Sequence, residues 1–166
     1  MYYHINDFLS DWGYEAAGTK KLFAAITPEK LNTRVYPEGR DMGTLAWHIM
    51  ITLKEMMEHT GLKITGPANQ DWDEQSGPEE LLNWYTKSSD SLVEQVKNWT
   101  DVDLQVSDNM YGESWKRGVT LDILIKHQAH HRGQLTVLMR QAGLPVAGMY
   151  GPSKEEWKAM NMEPQK

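Results

Sequence analysis

The chain has 166 residues, 40% hydrophobic and 24% charged, with a formal net charge of −6 and no cysteine. That length suits a single domain over residues 1–166 whose core needs no covalent staples. The missing thiols exclude disulfides, thiolate zinc sites and a protein-borne sulfur nucleophile, and they fit a reducing cytoplasm. Acidic charge is dispersed apart from a mild cluster at Asp71, Asp73, Glu74, Glu79 and Glu80, and the basic pairs Lys20–Lys21 and Lys116–Arg117 make no phosphate-binding stripe. No nucleic-acid partner is therefore expected. The opening MYYHINDFLSDW lacks the basic and apolar regions of a signal peptide, and no apolar run approaches a membrane span. A soluble, cytoplasmic protein with no membrane partner is the expectation.

Helical periodicity first runs over residues 5–26, through Ile5, Phe8, Leu9, Trp12, Ala16, Phe23 and Ile26. Thr27-Pro28-Glu29 reads as an N-cap followed by proline at the first position of a short helical turn. Residues 33–40 (TRVYPEGR) form a connection punctuated by Pro37 and Gly39. A second helix starts near Asp41 as N-cap and runs to about His59, where Gly61 can end it; Leu45, Ile49, Thr52 and Met56 line one face. Ser76-Gly77-Pro78 signals the third helix, with Glu79 and Glu80 favourably placed in its first turn. Its stripe of Leu81, Tyr85, Ser88, Leu92, Val96 and Trp99 is the clearest amphipathic pattern in the chain.

Thr100 to Gly118 mixes turn residues with the alternating DVDLQV, consistent with a loop or a short extended segment. A connection of this length can carry a bundle crossover or lie over one end of a site. The fourth helix is expected from Thr120, as N-cap, to Ala142, closed by Gly143 and Pro145. A short helix at SKEEWKAM, capped by Ser153, completes the chain. Four main helices without a convincing sheet make an all-α bundle, with the seven tryptophans and ten methionines mostly filling its core.

The chemistry lies in HQAHHRGQL, residues 127–135. Spacing of four puts His127 and His131 one turn apart on one helical face, where both can grip one metal ion. An advance of about 100° per residue places Leu124, His127, His131, Leu135 and Leu138 in one arc facing the core, with His130 well off it. His48 borders the apolar face of the second helix and can also look inward. Burying such imidazoles without partners is costly. Three histidines leave open coordination positions, whereas a structural zinc site is usually closed by four protein ligands. His4 and His59 read as surface residues. HExxH, Glu-x-x-His pairs, P-loop, GxGxxG and GxSxG are all absent.

TLAWHI followed at a distance by HQAHHRGQLTVLMRQAG resembles the DinB-like (DinB/YfiT) superfamily over nearly the whole chain. The resemblance implies an up-down-down-up four-helix bundle with a long crossover, a homodimer, and a metal held by His48, His127 and His131. It implies supporting roles for Arg132 and Gln134, and a small-molecule substrate. Relatives with assigned roles include metal-dependent transferases acting on low-molecular-weight thiols and isomerases that use such a thiol. The reading is thus a metal-dependent enzyme, with thiol S-transfer first and metal-assisted hydrolysis second. The competing class is a non-catalytic metal-binding or stress-response bundle. Three imidazoles suit Zn or Ni first, and also Co, Fe, Cu or Mn. No catalytic side chain stands out. Thr52, one turn from His48, is placed to support a ligand without being a base, while Glu55 lies two turns on, roughly 10 Å along the axis.

Overall fold

The computed structural model describes residues 1–68 and 77–163. The acidic residues Asp71, Asp73 and Glu74, and Ser76 of the third helix start signal, lie outside the described residues. The long helices are α1 (Ile5–Ala24), α2 (Met42–Glu58), α3 (Pro78–Val96) and α4 (Arg117–Gln141), with a short α5 (Lys154–Ala159). A two-stranded hairpin, β1 (Ser107–Met110) and β2 (Glu113–Lys116), precedes α4.

Where a helix start is encoded locally, the expected cap is present. Asp41 accepts the Thr44 N–H at 2.8 Å, and Ser153 forms a capping box with Glu156 at the head of α5. Thr27 precedes a 3-10 turn, Pro28–Lys30, without a side-chain cap bond to its backbone. α1 takes its cap from far along the chain: Asp101 accepts the Ile5 N–H at 2.8 Å and the His4 Nδ1 proton at 2.9 Å. These two bonds hold the exposed Asp101 carboxyl below the ordinary aspartate range.

Two expectations are corrected. α4 begins at Arg117, three residues before Thr120, because β2 runs directly into it. The Val106 carbonyl accepts the Arg117 N–H at 2.9 Å and Asp108 pairs with the Arg117 guanidinium at 2.9 Å, which fixes the first turn without a hydroxyl cap. DVDLQV is not the extended segment. It holds a 3-10 turn, Asp103–Gln105, and the strands follow it. Tyr111 (φ 57°) and Gly112 (φ 88°) both occupy the left-handed region, as the tight two-residue hairpin turn requires.

Pair contacts give the topology. Arg132 of α4 meets Glu15 and Thr19 of α1, while Tyr2 bonds Gly118, so α1 and α4 run the same way. A Cβ on Gly118 would stand 2.1 Å from the Tyr2 carbonyl oxygen, so only glycine lets the leading segment cross there. Trp12 meets Ser89 and Ile5 meets Asp101, which sets α3 antiparallel to α1. His48 meets His131 while Ile49 meets Gln128, which sets α2 antiparallel to α4. The bundle is therefore up-down-down-up, and the parallel α2 and α3 require the long crossover between them. Its described part runs back along α3, with Lys63 N–H donating to Gln95 at 2.7 Å and Thr65 N–H to Ser91 at 3.0 Å. The crossover is thus the 59–77 connection, and the 100–118 stretch instead packs on α4 and the start of α1, with Tyr111 at the hairpin tip reaching Glu55 of α2.

Phe8, Trp12, Leu22, Phe23, Tyr85, Leu121 and Leu124 are buried at the bundle centre, with Trp47 and six methionines (Met42, Met50, Met56, Met57, Met110, Met139) filling between helices. Trp99 lies past the end of α3, partly buried against the core. Threaded through this core is a polar layer. Arg132, 2% exposed, forms an ion pair with Glu15 and donates to the Glu15 carbonyl and the Thr19 hydroxyl, both at 3.0 Å. The tail adds Tyr150, which accepts from Arg132 at 2.8 Å and donates to Glu15 at 2.9 Å. Gln128 continues the layer, donating to the Ile49 carbonyl at 2.6 Å and accepting from Tyr85 at 3.4 Å.

Removing one member of a buried pair strands the other charge. Glu15→Ala should cost about 3–5 kcal/mol in urea unfolding. Glu155→Ala, which breaks an exposed pair with Arg140, should cost no more than about 1 kcal/mol. Equal losses in the two variants would contradict this assignment.

Candidate metal centre

α4 carries the arc expected from its period. Leu124, His131, Leu135 and Leu138 are buried, His127 is half-buried, and His130 is exposed. Antiparallel packing against α2 brings His48, also half-buried, onto the same point. His48 Nε2 lies 3.1 Å from His131 Nε2, which lies 3.1 Å from His127 Nε2, and the three ligand atoms fall within 4.8 Å of one another. Two nitrogens each about 2.1 Å from one zinc ion stand roughly 3.0–3.4 Å apart for angles between square and tetrahedral. The spacing fits one divalent ion.

Proton bookkeeping reinforces the fit. Gln134 Oε1 lies 3.0 Å from His131 Nδ1, and Gln134 Nε2 lies 2.9 Å from His130 Nε2. The amide oxygen can only accept, so the His131 proton sits on Nδ1 and its Nε2 offers a lone pair. Two neighbouring imidazoles then converge on that one lone pair. His127 Nδ1 is buried without a hydrogen-bond partner among the described residues, so the polar contacts of that ring lie at the convergence point. A cation there is the arrangement that satisfies all three lone pairs at once.

Burial, reinforced by the neighbouring His131 and Arg40, pushes the His48 pKa down to about 4. Burial, with His131 and His130, pushes His127 to about 4, and burial lowers His131 too, opposed by its bond to Gln134. All three rings are therefore neutral near pH 7, the state that ligates metal.

Of the other residues singled out in the sequence, Gln134 supports a histidine directly. Arg132 instead anchors α4 to α1. Thr52 touches no imidazole nitrogen: its hydroxyl reaches the His48 and Ile49 carbonyls at 3.0 and 3.1 Å. His4 caps α1, and exposed His59 stands 3.5 Å from Glu55. Glu55 gains a place that axial distance along α2 had obscured. It lines, with His48, Ile51, Thr52, Lys54, Glu58 and His59, a cleft of about 610 Å³ beside the trio. Its carboxylate accepts from the Tyr111 hydroxyl at 2.7 Å. Burial and that carboxylate together raise the Tyr111 pKa well above its ordinary value. No local spacing signals this contact, which spans 56 residues.

An up-down-down-up bundle with a histidine trio bridging α2 and α4 defines a compact class of helical proteins. The DinB family model matches residues 1–166, and the chain belongs to the DinB family. It is 38% identical over 164 residues, 98% of each chain, to a protein of Bacillus subtilis (strain 168) called "Uncharacterized protein YrdA". The crystal structure of a DinB-like protein from Bacillus cereus ATCC 10987 superposes with a TM-score of 0.86 at 37% identity, covering 90% of this chain and all of that one. A second DinB-like protein, from Bacillus subtilis, shares the fold at 16% identity with a TM-score of 0.69, over 89% of this chain and 99% of its own. Among the described residues no helix is long and apolar enough to cross a membrane.

Two outcomes are expected. Gln134→Leu should weaken divalent-metal affinity about 10–100-fold while the fold persists, as read by competition with a chromogenic chelator. The second concerns pH. Unfolded histidines titrate near about 6.5, above the folded values of His48 and His127, so the unfolded chain binds more protons between the two. The stability of metal-free protein should therefore fall as pH drops through that window, and the fall should be shallower in His48→Gln. Parallel stability profiles for the two proteins across that range would contradict the assignment.

Proposed function

We propose that this protein is a metal-dependent enzyme whose divalent ion, zinc or nickel first, is held by His48, His127 and His131, and that it transfers a low-molecular-weight thiol to an electrophilic small molecule. The observation carrying this reading is the convergence of three neutral imidazoles, 3.1 Å between successive Nε2 atoms, beside an open cleft. Three protein ligands leave positions for an exchangeable group. A bound divalent ion supplies Lewis acidity, lowering the pKa of a coordinated thiol or water toward neutrality.

The chain's own residues do the rest. His48 joins the ion to the cleft wall, and Ile51 with Pro67 provides apolar surface for the body of a substrate. Glu55, kept in place by Tyr111, offers a carboxylate in the same cleft that can take the proton released when a thiol or water is activated. The absence of cysteine accords with a mechanism whose sulfur arrives with the substrate. Glu55 also favours hydrolysis as the second reading, since that reaction wants a carboxylate near the activated water. A non-catalytic metal holder would require an occluded centre, and the cleft beside His48 argues against it.

Metal content by mass spectrometry, on untagged wild type beside His48→Ala and His131→Ala, is the deciding experiment. About one ion per chain in wild type and none in either variant is the expected outcome. Wild type that stays empty after divalent metals are offered would sink the proposal. Given a loaded protein, Glu55→Gln should lower kcat for thiol transfer or hydrolysis about 10²–10⁴-fold with metal content unchanged.

A further inference from the structure

His48 lines the Glu55 cleft, and a second cavity, one turn along α2 from His48, has a chemistry of its own. Away from the Glu55 cleft, Val35, Tyr36, Leu45, Val137 and Leu138 line a cavity of about 420 Å³ together with Arg40 and Gln134. Leu45 precedes His48 by one turn, and Gln134 is the residue bonded to His131 Nδ1. This cavity therefore adjoins the histidine trio on the side of the α2 start.

Arg40 stands apart from the other arginines. Arg34 pairs with Asp41, Arg117 with Asp108, Arg132 with Glu15 and Arg140 with Glu155. Arg40 is the remaining arginine of the five, and it has no hydrogen bond or ion pair among the described residues. Its charge is nonetheless felt at the trio, where it disfavours protonation of all three rings. Three neutral imidazoles do not cancel the charge of a divalent ion, so an ion on the trio and Arg40 together make this end of the bundle electropositive in a chain of net charge −6. A planar guanidinium with free donors at the rim of an apolar cavity matches a carboxylate in shape and charge.

We propose that this cavity is a binding site for a small carboxylate with an apolar body, its carboxylate held by Arg40 and its far end directed to the histidine trio. The inference deepens the enzyme reading by naming the substrate class: a carboxylate-bearing molecule, the thiol or its electrophile, binds on the Arg40 side. The opposite cleft, which carries Glu55 and Glu58, is left to the other reactant.

The test is calorimetric titration with two isosteric probes, 3-phenylpropionate and 3-phenylpropionamide, on zinc-treated and on metal-free protein. Wild type should bind the acid roughly tenfold or more tightly than the amide, the worth of one charge-assisted contact. Arg40→Gln should abolish that preference and Arg40→Glu should reverse it, with melting temperature unchanged because the side chain is exposed and unpaired. Equal affinity for the two probes in wild type, no binding of either, or a preference that survives in Arg40→Gln would overturn the inference. Zinc content, measured on the same samples, reports on the metal centre by itself. A chain that takes up no zinc yet keeps an Arg40-dependent preference retains the anion site and loses the metal enzyme. A zinc-loaded chain without that preference does the opposite.

Discussion

The ion pair between Arg132 and Glu15 sets the rotation of α4, and the site depends on that rotation. A guanidinium can be buried only where a carboxylate and further acceptors meet it, and Glu15, Thr19 and Tyr150 meet Arg132 at one azimuth. Turning α4 by one residue, about 100°, would strand that charge. Because His131 precedes Arg132, the same constraint aims His131 and His127 at α2. Gln128, bonded to the Ile49 carbonyl, then fixes how far α2 slides along α4. The polar layer acts as a registry device, and the histidine trio inherits its precision from it.

The trio combines two kinds of support. Packing supplies position, through Leu124, Leu135 and Leu138 on the same arc of α4. Hydrogen bonding supplies protonation state, through the amide of Gln134, which holds the His131 proton on Nδ1. Neither would suffice alone. Apolar packing around three imidazoles leaves their tautomers undetermined, and a tautomer without a fixed ring direction leaves the lone pair unaimed.

Features encoded within one turn were legible in the sequence. The period of α3, the Asp41 cap, the Ser153 box and the closure of α4 before Gly143 follow from residues that neighbour one another. The facing of His127 and His131 was legible because both ride one helix, and His48 because its helix has a strong apolar face. Features that depend on distant partners were hidden. Asp101 caps α1 across 96 residues, and no spacing rule reaches that far. Thr120 has the chemistry of a cap, yet the hairpin supplies the start of α4 three residues earlier. The hairpin turn is Tyr-Gly in place of the stronger Asn-Gly signal, so the sequence leaves loop and short extended segment equally open and does not place the strands. Distance along α2 hides Glu55, because what counts is the cleft that α2 lines together with Pro67 and Ala68, and the Tyr111 hydroxyl that reaches its carboxylate.

One further property concerns the order in which the chain is made. The trio joins His48 to residues 79 and 83 positions later, and each α-helix alone carries only part of the ligand set. A nascent chain that has released α1, α2 and α3 still lacks two of the three imidazoles, and α2, though it can pack on α3, has no α4 to face. Ribosomal synthesis must therefore run essentially to the end of α4 before the centre exists. The trio is in this sense assembled only after translation of α4, and a chain arrested before α4 offers a single histidine in its place.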